Sequence, residues 1–143
     1  MSEYKTYKQE SIPSLVVSIE DEFSKELVES WIKYESKGYI YIVEHNGDLA
    51  GYCLIDESNT IRGLFVKPKY RNLGIGTKLL KCVINDYDSI TVNINKPAVK
   101  VYTRVGFTIL GERQDMDFLI GYYGDLSDKQ REKLVSRLKK TTQ

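Results

Sequence analysis

The stretch from Ile61 to Tyr87 constrains this chain more than any other. Residues 60–66 are a run of strand formers that ends in the basic turn Lys67-Pro68-Lys69-Tyr70-Arg71. Asn72 and Leu73 then lead into two glycines spaced G-x-G, Gly74 and Gly76. Apolar residues recur after that as Ile75, Leu79, Leu80, Val83, Ile84 and Tyr87, the spacing of one helix face. A strand that passes through a basic, glycine-bearing loop into a helix N-terminus makes an anion site. The first amides of a helix have no intrahelical acceptor, and the helix dipole adds partial positive charge there. Glycine at 74 and 76 removes the Cβ atoms that would hold a phosphate off the backbone. Two better-known phosphate loops do not fit. The G-x-x-x-x-G-K-S/T pattern is absent, and a dinucleotide fingerprint would need a third glycine where Leu79 stands.

The elements around this stretch read as one α/β domain over residues 1–143 with a mixed sheet. Residues 4–9 alternate as a short strand. Ser11 and Pro13 suit a helix start, and Leu15, Val16, Ile19 and Phe23 keep helical spacing. A second helix is expected over 24–36, with Leu27, Val28, Trp31, Ile32 and Tyr34 as apolar positions and Gly38 as its stop. Residues 39–44 and 49–55 are strands joined through Asn46-Gly47, a strong hairpin signal. Gly51 marks a bulge or a close approach to the backbone. With the strand at 60–66 they form an antiparallel meander. The strand at 89–95 follows a helix and pairs in parallel with the strand before that helix. Lys96-Pro97 restarts a helix that Gly106 ends. Strands are expected from 107 to 111 and from 115 to 123. A basic amphipathic helix is expected over 127–140, with Leu134, Val135 and Leu138 able to dock. The order is therefore β-α-α-β-β-β-α-β-α-β-β-α.

Composition narrows the function classes. At 143 residues with 41% hydrophobic and 29% charged, the chain has the balance of a globular protein rather than a disordered one. A net charge of +1 supplies no global field toward nucleic acid or an acidic membrane. No run of 18 apolar residues and no leader-like N-terminus is found, so a cytoplasmic location and no membrane partner are expected. Cys53 and Cys82 read as reduced core residues and imply no metal site. His45 reads as a surface residue beside a turn.

Two motifs carry a family resemblance. Arg71 to Gly76 reads R-N-L-G-I-G, and this matches the R/Q-x-x-G-x-G/A signature of the Gcn5-related N-acetyltransferase (GNAT) superfamily. Asn95, Ala98, Tyr102 and Gly106-Phe107 then resemble the N-x-x-A-x-x-x-Y-x-x-x-G-F pattern of the same superfamily. The segment 10–15 also resembles the start of the first helix in many members, so the resemblance spans about 4–123.

The resemblance implies a mostly antiparallel GNAT-like sheet, splayed at one parallel pair, with acetyl-CoA in the gap and no metal. It implies that main chain around Leu64, Phe65 and Val66 binds the pantetheine arm. A splayed strand has backbone groups that need partners, and the pantetheine amides can serve as a surrogate strand. The pyrophosphate would take the amides of Arg71, Asn72, Leu73, Gly74, Ile75, Gly76 and Thr77. Asn95 would contact the cofactor from the far wall. By the same resemblance Tyr102 protonates the departing thiolate, a task that suits a phenol with a pKa near 10. A packing role for Tyr102 is the plainer alternative. The oxyanion would meet a backbone N–H near Val66.

The proton acceptor is less defined. Some members carry a glutamate about six residues before the position of Val66, and here that position is Thr60. Asp56, Glu57 and Glu44 are candidates, as is a water chain, and each carboxylate also reads as an ordinary surface charge. Arg62 could recognise an anionic group of the acceptor, sharing a strand face with Thr60 and Leu64, or it could make a structural ion pair. Phe23, Trp31, Tyr122 and Tyr123 are candidate acceptor lining, and core packing explains them equally well.

The function implied is transfer of an acetyl group from acetyl-CoA to a primary amine by direct attack. A small-molecule acceptor leads, and a protein or RNA-associated target and a non-catalytic CoA-ester-binding module are the alternatives. A second copy of the chain counts among the possible partners.

Overall fold

The computed structural model describes residues 2–8, 25, 29, 38–45 and 48–140. The helices expected near 11–23 and 24–36, with Phe23 and Trp31, and the Asn46-Gly47 turn lie outside the described residues.

The elements are β1 (Ser2–Lys8), β2 (Tyr39–His45), β3 (Asp48–Ile55), β4 (Thr60–Val66), α1 (Ile75–Asp86), β5 (Ser89–Ile94), α2 (Val99–Arg104), β6 (Thr108–Glu112), β7 (Leu119–Gly124) and α3 (Asp128–Val135). Single 3-10 turns at Pro68–Tyr70 and Lys96–Ala98 precede α1 and α2. The strands form one sheet in the order β1-β2-β3-β4-β5-β7-β6. All neighbours are antiparallel except β4 and β5.

Helix α1 is amphipathic as its spacing requires. It buries Ile75, Leu79, Leu80 and Val83, and it packs on β2, β3 and β4. Each such side chain contributes roughly 1.5–3 kcal/mol when fully buried. Gly51 makes the contact possible. A Cβ there would stand 2.9 Å from the Phe65 carbonyl oxygen, 3.2 Å from Ile75 Cγ2 and 3.3 Å from Leu79 Cδ1. The far end of α1 is tied to the sheet by the Tyr41 hydroxyl, which donates to Asp86 Oδ2 at 2.6 Å.

The parallel pair decides the shape. Strands β4 and β5 pair only at Thr60–Thr91 and Ile61–Val92. Beyond Ile61, β4 runs on to Val66 without β5 beside it. A bulge sits at the same place, because Ile55 pairs with Ile61 while Leu54 pairs with Gly63. One extra residue reverses the alternation. Ile61, Leu64 and Val66 therefore pack against one core, while Arg62 and Phe65 are exposed. Strict alternation would have put Arg62 on the face of Leu64, and the bulge is why it does not.

Two boundaries differ most from expectation. Strand β7 starts at Leu119, not at 115, because Asp115, Met116 and Asp117 are exposed in the preceding turn. There Arg113 Nε donates to Asp115 Oδ1 at 2.8 Å. A strand held between β5 and β6 has no room for those carboxylates. Helix α3 starts with a capping box between Ser127 and Gln130 and ends at Val135, well before 140. The chain then pairs along β6: Gln114 N donates to Arg137 O at 2.9 Å and Lys139 N to Glu112 O at 2.7 Å. This covers the edge strand of the sheet. Leu134 is buried, Leu138 comes within 3.4 Å of where a Gly111 Cβ would stand, and Val135 is exposed.

Candidate active site

The fork between β4 and β5 opens into a cleft of about 950 Å³. Its walls come from the end of β4, the loop before α1, the first turn of α1, and the segment from Asn95 to Arg104. Of the residues singled out in the sequence, Leu64, Phe65, Val66, Arg71, Asn72, Gly74, Gly76, Thr77 and Asn95 line it. Leu73 and Ile75 do not. The Leu73 side chain is 63% exposed, and Ile75, at 3%, belongs to the core face of α1. What these two can offer is backbone.

That backbone is available. The first bond of α1 runs from Lys78 N to Gly74 O at 3.1 Å, and no side chain caps the helix. The amides of residues 72–77 donate to no acceptor among the described residues. Asn72 and Gly74 both have left-handed backbone, with φ of 67° and 78°. Left-handed residues set into such a run turn successive N–H groups toward one concave site, an anion nest. Glycine at 74 is thus a conformational requirement. Gly76 has a different role: a Cβ there would stand 3.6 Å from Val101 Cγ1 and 3.7 Å from Val66 Cγ2, between the two walls.

The charge of the basic turn is arranged differently from its sequence reading. Lys67 Nζ lies 3.0 Å from Asp48 Oδ1, and Lys69 Nζ lies 3.2 Å from Asp48 Oδ2. The Tyr70 hydroxyl donates to the same Oδ2 at 2.8 Å. Partial burial opposes ionisation of Asp48, but these three donors outweigh it and hold the carboxyl below its ordinary range. The two lysines therefore anchor the turn to β3. Arg71 is exposed on the cleft, and its Nε donates to Val66 O at 3.1 Å.

Tyr102 lies behind the wall rather than in it. It is 4% exposed, its ring meets Phe107 edge-on at 5.2 Å, and Leu64 and Val66 pack against the same core. Burial, with a smaller effect of nearby Cys53, pushes its hydroxyl well above the ordinary tyrosine range. The group stays protonated at neutral pH and does not act as a base there.

The candidate bases are elsewhere. Asp56 Oδ1 accepts from the amides of Ser58 and Thr60 at 2.8 and 3.0 Å, and its Oδ2 takes Arg62 Nε at 2.6 Å. Asp56 thus shapes the β3–β4 turn, and Arg62 is engaged in the structural ion pair. Glu57 is exposed on that turn and Glu44 is on β2, so neither lines the cleft. Thr60 shares a hydroxyl hydrogen bond of 2.9 Å with Thr91. Tyr123 stacks near Phe107 at 5.6 Å, and Arg131 lies 5.5 Å above the Tyr122 ring.

Sequence reasoning passed over several wall residues: Pro68, Pro97, Ala98 as a lining group, Val101 and Arg104. The signal was the spacing of 101 and 104, one face of a short helix.

The comparisons with known proteins point to one family. The family model described as an acetyltransferase (GNAT) domain matches residues 3–121. A 5-NmdU N-acetyltransferase of Pseudomonas phage PaMx11 is 30% identical over 101 residues, 64% of this chain and 72% of the phage protein. The spermidine N(1)-acetyltransferase of Escherichia coli K12 is 26% identical over 98 residues, 58% of this chain and 52% of that enzyme, so the match spans about half of its length. Among solved structures, a GNAT family acetyltransferase from Elizabethkingia anophelis with acetyl-CoA bound superposes with a TM-score of 0.62 at 17% identity, covering 87% of this chain and 98% of the other. An acyl-CoA N-acyltransferase from Pseudomonas aeruginosa superposes with a TM-score of 0.65 at 11% identity, covering 87% and 100%.

Proposed function

The chain belongs to the acetyltransferase (GNAT) family, an acyl-CoA-dependent N-acetyltransferase, and from that premise we propose that its acceptor is a primary amine on a small molecule. The relatives named for 5-NmdU and spermidine support a small acceptor. The observation that carries the site assignment is the fork: β4 leaves β5 after two paired residues, and the gap leads to the unpaired amides of 72–77.

Acetyl-CoA supplies a thioester carbonyl open to nucleophilic attack. Main chain at Leu64, Phe65 and Val66 binds the pantetheine amides along the unpaired edge of β4, the nest at 72–77 binds the pyrophosphate, and Asn95 closes the far wall. A backbone N–H near Val66 faces the thioester oxygen as charge develops on it. The neutral amine forms the new C–N bond as the C–S bond breaks. Tyr102 stands behind the wall and must turn its hydroxyl into the cleft to give its proton to the leaving sulfur; the amine proton passes to water and through it restores the phenol. The reaction belongs in the cytoplasm, a reading that the free thiols of Cys53 and Cys82 support.

The test is release of free thiol from acetyl-CoA with a panel containing spermidine, 5-NmdU, lysine and N-terminal peptide amines. Turnover with the small amines well above that with peptides is the expected result. Turnover confined to peptides would overturn the acceptor assignment. Thermal stabilisation by acetyl-CoA without thiol release from any amine would instead point to a CoA-ester-binding module.

A further inference from the structure

Arg104 is the last residue of α2, exposed, and part of the cleft wall. It falls at an unspecified position of the second motif. Its place follows from helix geometry. Val101 and Arg104 fall three apart on one face of α2, Pro97 precedes them in the 3-10 turn, and all three line the cleft. Val101 is the member that faces Gly76, at 3.6 Å from where a Cβ would stand. Asn95 and Pro97 lie on the strand side of that contact. Arg104 lies on the other side, about 4.5 Å further along the helix axis. The sequence along the cleft is therefore fork, amide nest, Arg104.

The charges of the wall point the same way. Coenzyme A carries a pyrophosphate and, on the ribose beyond it, a 3′-phosphomonoester with up to two negative charges. The nest has amides for the first. The second needs a cation. Lys67 and Lys69 are held by Asp48. Arg71 and Arg104 are the basic side chains among the described cleft residues, and Arg71 sits at the loop with its Nε on Val66 O. Arg104 forms no ion pair among the described residues. A guanidinium offers the planar, paired donors that a phosphomonoester accepts best.

We propose that Arg104 binds the 3′-phosphate of coenzyme A, and that through it the chain distinguishes CoA esters from their 3′-dephospho forms. The inference rests on acetyl-CoA as the donor. It adds the residue that reads the nucleotide end of that donor.

The experiment measures dissociation constants for acetyl-CoA and for acetyl-3′-dephospho-CoA on the native chain, R104Q, R104K and R71Q, with melting curves to verify folding. The native chain should prefer acetyl-CoA by about tenfold or more, the scale of a hydrogen bond between charged groups. R104Q should lose that preference by weakening acetyl-CoA alone, with the dephospho ester bound as by the native chain. R104K should keep part of it. Equal loss for both esters in R104Q would overturn the proposal, as would a preference that survives R104Q and disappears in R71Q. A native chain that binds both esters equally well removes the proposal and leaves the donor assignment standing. A native chain that binds neither removes the donor assignment, and the proposal with it.

Discussion

Thr60 Oγ1 lies 2.9 Å from Thr91 Oγ1 at the first of the two rungs that join β4 and β5. The pair is partly buried, and Thr91 N also donates to Asn59 O at 3.0 Å, so polar contacts pin the fork at its closed end. Thr60 occupies the place where some relatives in the superfamily carry a glutamate, yet a hydroxyl in this bond has no means of taking a proton from an amine at neutral pH. Its role is mechanical. Thr60→Val should cost about 0.5–1.5 kcal/mol, the usual net worth of one hydrogen bond. Denaturant melts check the cost. A collapse of turnover in a variant that melts like the native chain would make Thr60 part of the chemistry and refute the mechanical reading.

Tyr102→Phe separates catalysis from packing. Loss of a general acid costs about a hundredfold or more in kcat. The ring contacts with Phe107 survive the change, so the fold should persist. The pH dependence has a definite sign. Burial raises the Tyr102 pKa in the folded chain. The associated stability is fully present below the unfolded value of about 10 and is lost as pH rises above it. The native enzyme should therefore show no alkaline fall in kcat from this group through pH 9, and the variant should lose less stability above pH 10. Near-native kcat in Tyr102→Phe would sink the acid assignment.

The loop of the candidate site was legible because it is local. The amides of 72–77 are consecutive and unpaired among the described residues, that of Arg71 being taken by Pro68 O at 3.3 Å, and a glycine-bearing run before an amphipathic helix announces such a loop in one window of sequence. Arg104 was not legible in that way. A single charge at the end of a six-residue helix looks like a solvated residue until Val101 is seen facing Gly76. The anchoring of Lys67 and Lys69 was hidden for a related reason, since their carboxylate, Asp48, lies some twenty positions earlier in another hairpin. The bulge at Arg62 has no signature at all, because it appears only when the register of β3 is laid against β4. Leu138 kept helical spacing with Leu134, and the unpaired edge of β6 outweighed that propensity.

Asp48→Asn tests whether the anchored turn sets the geometry of the donor loop. The neutral amide keeps the shape but loses the charge that Lys67, Lys69 and Tyr70 share. The loop beginning at Arg71 would then start from a looser turn. The dissociation constant for acetyl-CoA should rise roughly fivefold, equivalent to about 1 kcal/mol. The acid limb provides a second reading. A carboxyl held below its ordinary value contributes stability that is present above about pH 3.9 and is lost as pH falls through its folded pKa. The variant should lack that loss. Native affinity for acetyl-CoA in Asp48→Asn would show that the turn does not depend on the anchor.

The two glycines of the loop should respond with opposite signs to the same substitution. Gly74 has a φ of 78°, and nothing stands within 4 Å of an added Cβ, so the cost of Gly74→Ala is conformational. It should be roughly 1–2 kcal/mol, the penalty for holding an L residue in left-handed backbone. Gly76 is inside the first turn of α1, where its added Cβ meets Val101 and Val66 at ordinary contact distance. Alanine there should raise stability by roughly 0.5–1 kcal/mol, because glycine loses more freedom on entering a helix. The motif accepts alanine as well as glycine at this place, so the same methyl group is compatible with a phosphate on the amides. Gly76→Ala should therefore melt higher and bind acetyl-CoA as the native chain does. Melting curves with and without acetyl-CoA read both effects in one series. A Gly76→Ala chain that gains stability and loses acetyl-CoA binding would mean that the phosphate approaches the backbone too closely at this turn for a methyl group.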